Sequence, residues 1–312
     1  MKKIILFLSI LIPFSLLLAG CAFTNNPSQK KKGQLTVYTT VFPLQYFTEQ
    51  IGGKYVNVKT IYPPGADEHT FEPSQKDMMN LADSDLFFYI GLGLEGFVEK
   101  AKTTLQDENV TLVAVADHLQ LPKDQHADEA DEDGQHHGDV NPHVWLDPIY
   151  SKEMAGVIKD SLVKKMPQHK ALFEKNYQKL AKQLDDLNKR YQQTIKNAPH
   201  KEMIVTHAAF GYWENRYGLK QISISGLSTT NEPTQKELEK IISLADREGL
   251  HYILFEQNVH SKLGEIVQNE IGAKALPIHN LAILTEDNIK NKETYFTLMN
   301  KNLATLKTAL AK

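Results

Sequence analysis

Short β-branched runs alternate with amphipathic stretches along most of the chain. Residues 35–41, 56–62, 86–90 and 111–115 read as strands, separated by helices at 44–51, 74–82 and between 90 and 111. Ser74 followed three residues later by Asp77 is a helix-start signal. A second series has strands at 203–207, 221–224, 252–255 and 275–278, with helices at 208–217, 234–248, 261–271 and 292–311. Alternation of this kind predicts βαβ units around a mainly parallel sheet covered by helices.

The middle of the chain has a different period. Asp147-Pro148 is an N-cap with proline at the first helical position, and the pattern stays helical to Lys165. Pro167 interrupts it. Then Leu172, Tyr177, Leu180, Leu184, Leu187 and Tyr191 recur at spacings of three to five, with charges between them, until Pro199. A helix over 169–197 is about 29 residues, or roughly 43 Å, long enough to cross between two bodies. The expected organisation is an N-terminal α/β lobe at 35–166, a connecting helix at 167–198 and a C-terminal α/β lobe at 199–312. No sequence repeat links the halves, so any symmetry between them is structural only.

The N-terminus reads as an address rather than as fold. Met1-Lys2-Lys3 precedes an apolar run to Leu18 that ends in Leu18-Ala19-Gly20-Cys21. The run is shorter than the roughly 20 residues of a spanning helix and contains Pro13, so residues 1–20 are expected to be a cleaved signal peptide. Small residues before a cysteine resemble the bacterial lipobox, which makes Cys21 the expected lipid attachment point and places the protein outside the cell membrane, anchored to it. Cys21 is the single cysteine, so no internal disulfide is possible. Residues 21–34 lack helix or strand periodicity and read as a flexible tether. Its lysines, Lys30 to Lys32, either touch anionic lipid or simply solvate the linker.

Composition narrows the class. The 312 residues are 41% hydrophobic and 23% charged, ordinary for a globular chain, with a formal net charge of -3. A near balance of charge offers no basic face for nucleic acid.

Among twelve histidines, His69, His143 and His207 each sit in a loop or at a strand end just before a helix start. Ligands of open α/β sheets bind beyond the carboxyl ends of the strands, so these three can converge. Neutral imidazole suits zinc and related divalent ions. Asp67 or Glu72 is expected to orient the rings through hydrogen bonds.

The segments Tyr62-Pro63-Pro64-Gly65-Ala66-Asp67-Glu68-His69-Thr70-Phe71-Glu72-Pro73, Asn141-Pro142-His143-Val144-Trp145-Leu146-Asp147-Pro148 and Thr206-His207-Ala208-Ala209-Phe210-Gly211-Tyr212 carry a resemblance. With them the chain resembles, over nearly all of its length after the tether, the metal-binding lipoproteins of ATP-binding-cassette importers in the manganese and zinc cluster. The resemblance implies two lobes, each with a four-stranded sheet, a rigid connecting helix and one metal site in the inter-lobe cleft. It implies His69 and His143 from the first lobe and His207 from the second. It also implies zinc as transported cargo, delivered to an ABC-type permease by a monomer that is not an enzyme. In manganese-carrying relatives the position of His207 tends to be acidic, so a third imidazole shifts preference toward zinc.

One position departs from that pattern. Zinc-binding relatives often supply a glutamate as fourth ligand near the C-terminus, and here that carboxylate falls on Ala282. Water is the expected replacement, with His279 or Glu286 as alternatives. Residues 124–139, carrying His126, His136, His137 and many carboxylates, read either as a weak secondary site gathering zinc near the cleft or as a solvated acidic loop. Three further functions suit the same features: a manganese carrier of the same transporter class, a zinc-dependent hydrolase using an open fourth position, and a surface adhesin. The hydrolase reading lacks a His-Glu-x-x-His helix or a nucleophile elbow, and offers only Glu256 as a base.

Overall fold

Central strands covered by helices on both faces are buried on both faces. All four positions of Leu86–Tyr89 are buried, as are the last five of Glu202–His207. The computed structural model describes residues 33–123, 140–230, 233–257 and 261–311. Cys21, the signal and tether segments up to residue 32, and the loop histidines His126, His136 and His137 lie outside the described residues.

Among the described residues, eight parallel strands form two sheets. The first contains β1 (Leu35–Thr39), β2 (Val56–Thr60), β3 (Leu86–Tyr89) and β4 (Thr111–Ala114) in the order β2-β1-β3-β4. The second contains β5 (Glu202–His207), β6 (Lys220–Ser225), β7 (Tyr252–Glu256) and β8 (Lys274–Ile278) in the order β6-β5-β7-β8. The two orders are the same arrangement, so the halves share a topology that their sequences do not display. In each sheet the winding reverses beside the first strand, between β1 and β3 and between β5 and β7. That reversal opens a crevice at the carboxyl ends of the strands.

The helices are α1 (Phe42–Gly52), α2 (Gln75–Ala82), α3 (Val98–Leu105), α4 (Pro148–Lys165), α5 (Lys170–Lys196), α6 (Gly211–Tyr217), α7 (Gln235–Glu248), α8 (Lys262–Glu270), α9 (Glu286–Lys290) and α10 (Tyr295–Ala309). Ser74 closes with Asp77 the reciprocal capping box expected of their spacing, and Thr234 closes another with Glu237. Two expected helices are shorter than their patterns. The one expected over 208–217 starts only at Gly211, because Ala208 donates its N–H to Gly226 and Phe210 donates to the Gln221 side chain, outside any helical ladder. The one expected over 292–311 starts at Tyr295, where Thr294 caps it, after Lys292 turns through a positive φ of 54°.

Helix α5 joins the halves. Its 27 residues span roughly 40 Å. Its buried face is Phe173, Leu180, Ala181, Leu184, Leu187, Tyr191 and Ile195, whereas Leu172, expected on that face, is 37% exposed. The register at the helix start is set by Phe173, which packs edge-on to Tyr55 of the first lobe.

The lobes are not independent bodies. One apolar core runs from Phe47 and Phe87 through Trp145 and Tyr191 to Phe210, Leu281 and Tyr295. A smaller core lies under α7 and α8, built on Ile204, Ile222, Ile253 and Val267. Buried polar groups fasten the halves as well. Trp145 Nε1 donates to the Asn280 carbonyl at 2.6 Å and Trp213 Nε1 to the Leu146 carbonyl at 2.8 Å. Tyr212 donates its hydroxyl to the Asn141 carbonyl, and Asn141 Nδ2 donates to the Ala208 carbonyl. The substitution Trp213→Phe keeps most of the ring but strips a buried carbonyl of this donor. It should lower unfolding stability by about 1–3 kcal/mol, read as a lower urea midpoint at unchanged slope.

Candidate metal centre

Each of the three histidines is aimed by its own local structure. His69 follows β2 in a loop where Asp67 Oδ1 accepts the His69 N–H at 2.8 Å and Tyr62 donates its hydroxyl to the Glu68 carbonyl. His143 stands just before a short 3-10 turn, Val144–Leu146. Asn141 Oδ1 accepts its backbone N–H at 3.0 Å and lies 2.8 Å from its Nδ1. His207 is the last residue of β5, and Glu256 is the last of β7. These strands pair Ile204 with Ile253 and Val205 with Leu254, which sets His207 level with Glu256. Their Nδ1 and Oε1 atoms are 2.8 Å apart.

The rings converge. Their centroids are 5.3 Å apart for His69 and His143, 5.4 Å for His69 and His207, and 4.8 Å for His143 and His207. Imidazoles bound to one tetrahedral ion at roughly 2.0–2.1 Å have centroids about 5 Å apart, so the spacing fits zinc. Among the described residues these three form the one group of histidine, cysteine, aspartate or glutamate side chains close enough to share a metal. His143 and His207 are buried, while His69 is half-buried.

Protonation divides the set. Burial pushes the His143 imidazolium well below the usual range, and the neighbouring His207 and His69 push the same way. His143 is therefore neutral. With Nδ1 against Asn141, its lone pair falls on Nε2, which is buried without a hydrogen-bond partner. Burial also opposes charge on His207, but the Glu256 carboxylate overrides it and raises the group to about 9, helped by Glu68 and the Leu227 carbonyl. Glu68, buried and accepting from Asn280 Nδ2 at 2.9 Å, is itself raised by desolvation to about 7.

Several sequence expectations change here. Glu72 is exposed, and Asp67 accepts from the backbone N–H of His69. The ring partners are Asn141 for His143 and Glu256 for His207. Only the adjacency of two strand ends signals the second of these, and the strand order is not written in the local sequence. His279 cannot turn toward the centre without losing two buried bonds: its Nδ1 accepts from the Leu281 N–H at 2.8 Å, and its Nε2 lies 3.0 Å from Asn288 Oδ1. Glu286 is exposed in the first turn of α9. Ala282 is buried, its N–H donating to Asn280 Oδ1 and its carbonyl accepting from Phe42.

Comparison with known proteins agrees with this architecture. Residues 37–309 match the family described as zinc-uptake complex component A, periplasmic (ZnuA). The chain is 36% identical over 310 residues to the zinc-binding lipoprotein AdcA of Streptococcus pneumoniae strain R6, covering 98% of this chain but 61% of that relative. It is 32% identical to the high-affinity zinc uptake system protein ZnuA of Bacillus subtilis strain 168, covering 95% of this chain and 94% of that one. The Zn(II)-bound ZnuA-like domain of S. pneumoniae AdcA superposes with a TM-score of 0.75 at 33% identity, over 90% of this chain and all of that domain. The two-lobed α/β fold with imidazoles converging in its cleft is in keeping with that match. The chain belongs to the zinc-uptake component A family.

The His207–Glu256 pair makes stability depend on pH. His207 binds its proton more tightly folded, at about 9, than at the ordinary 6.5, so the contribution is complete below pH 6.5 and disappears as pH rises through 9. Its size is on the order of 3 kcal/mol. Unfolding stability should fall between pH 6.5 and 9, and Glu256→Gln should flatten that fall. Titration of the His207 ring by NMR checks the cause: its midpoint should drop below 6.5 in the variant.

Proposed function

We propose that this protein captures Zn²⁺ outside the cell membrane and hands it to an ABC-type permease, holding the ion with His69, His143 and His207. The observation that carries the reading is the convergence of three imidazoles, from both lobes, at the spacing of one tetrahedral ion. An all-nitrogen set favours zinc over manganese, which prefers harder oxygen donors. The fourth position is taken by water: the family's carboxylate position is the methyl group of Ala282, His279 is bonded elsewhere and Glu286 is in solvent.

The role is carriage without turnover. A hydrolase needs a base aimed at metal-bound water. The candidate base, Glu256, instead has one oxygen on Nδ1 of His207, where it orients a ligand. Cys21 carries the lipid that tethers the folded body through residues 21–34, and the protein acts as a monomer. No helix among the described residues is long and apolar enough to cross a membrane. The loop histidines His126, His136 and His137 form a weak, separate gathering site.

Calorimetry on the full-length chain, stripped of metal, tests this. One tight zinc site is expected, with manganese weaker. His207→Ala should weaken zinc binding by about a hundredfold or more, since loss of a ligand exceeds the roughly 10–100-fold cost of losing a group that merely orients one. Deleting residues 124–139 should leave the tight site unchanged. Equal zinc binding by the His207 variant would sink the proposal.

A further inference from the structure

The segment after β6 touches the centre at two points. The Leu227 carbonyl lies 3.0 Å from Nε2 of His207, and the Thr229 hydroxyl donates to Asp67 Oδ2 at 2.6 Å. Asp67 belongs to the first-lobe loop that carries His69, so this second bond bridges the cleft. At its root the segment is held by the Gly226 carbonyl, which accepts from the Ala208 N–H. Within it, Ser228 is buried and its hydroxyl bonds to Thr230.

Glu256 occupies Nδ1 of His207, which leaves Nε2 as the nitrogen that can face a metal. A ring nitrogen that donates its hydrogen to a carbonyl has no lone pair for an ion. The Leu227 contact and a metal bond at Nε2 therefore exclude one another. Wide opening of the lobes cannot relieve the conflict cheaply, because the bonds of Trp145, Trp213, Tyr212 and Asn141 that join them are buried. The Thr229–Asp67 bond is only part-buried and joins two loops, so water can replace it where the buried fastenings would be left unpaired.

We propose that residues 226–230 are a self-blocking strap: bolted to Asp67 through Thr229, they seat the Leu227 carbonyl on Nε2 of His207, and zinc binds only when the strap lifts. The proposal rests on the reading of His207 as a zinc ligand. Apparent affinity is then the intrinsic affinity scaled by the lifted fraction. A half-exposed hydrogen bond to a carboxylate should depress that fraction about tenfold.

Stopped-flow zinc uptake by the full-length chain separates the steps. Thr229→Val should take up zinc about tenfold faster with an unchanged dissociation rate, and Thr229→Ser, which keeps the hydroxyl, should behave as the parent. An association rate in Thr229→Val equal to or below the parent's overturns the strap. Amide hydrogen exchange supplies a second readout. Residues 226–230 should exchange faster with zinc bound than without it, while β5 and β7 become more protected; increased protection of the strap would also overturn the proposal. Failure of the parent to bind zinc in calorimetry would remove the carrier reading and the strap with it. Zinc binding by the parent with an unaltered valine variant would remove the strap alone.

Discussion

The stretch from Asn141 to Ser151 is a buried strut on which the arrangement of the two lobes depends. Asn141 bonds through its carbonyl to Tyr212 and through its amide to Ala208, Trp145 reaches Asn280, and Leu146 receives Trp213. The Ser151 hydroxyl donates to the Trp145 carbonyl, which Tyr295 also reaches. Buried polar groups cost free energy unless paired, so each bond fixes a position rather than merely adding a contact. His143 stands inside this strut, and the placement of one candidate ligand is thereby tied to the packing of both lobes.

Around that fixed ring the other two are held differently. His207 is locked by the ends of two neighbouring parallel strands, a geometry that a sheet delivers with little freedom. His69 is held by a loop, half-buried, through its backbone N–H. The centre thus has a rigid floor of two buried rings and a softer wall at its mouth. The charges follow the same division: His143 is neutral and ready to donate a lone pair, while His207 shares a proton with a buried carboxylate. A metal ion at Nε2 would have to displace the other ring proton, the one facing the Leu227 carbonyl, which would couple binding to pH.

The continuous apolar core and the 27-residue helix α5 make the molecule stiff where hinged binding proteins flex. In such a frame movement falls to loops. The loop bearing His69 and the segment after β6 meet across the cleft through one hydrogen bond, Thr229 to Asp67. Local motion is the easier route, because loops open at a fraction of the free energy needed to part a core.

Much of this was legible in the chain. Short β-branched runs located all eight strands of the described residues and a period near 3.6 located the long helix, since composition and periodicity are local properties. The pair Ser74 and Asp77 marked a helix start for the same reason. His69, His143 and His207 stood out from nine other histidines by their loop and strand-end settings. The tertiary structure alone decided what each ring touches. That Glu256 is the partner of His207 follows from strand order, which brings together residues 49 positions apart. That Asn141 serves both His143 and the far lobe, that His279 is already satisfied, and that Leu227 presses on Nε2 follow from packing between segments distant in sequence. Hydrophobic pattern fixes which face of an element is buried; which side chains then meet across the buried space is set by the assembly of all the elements at once.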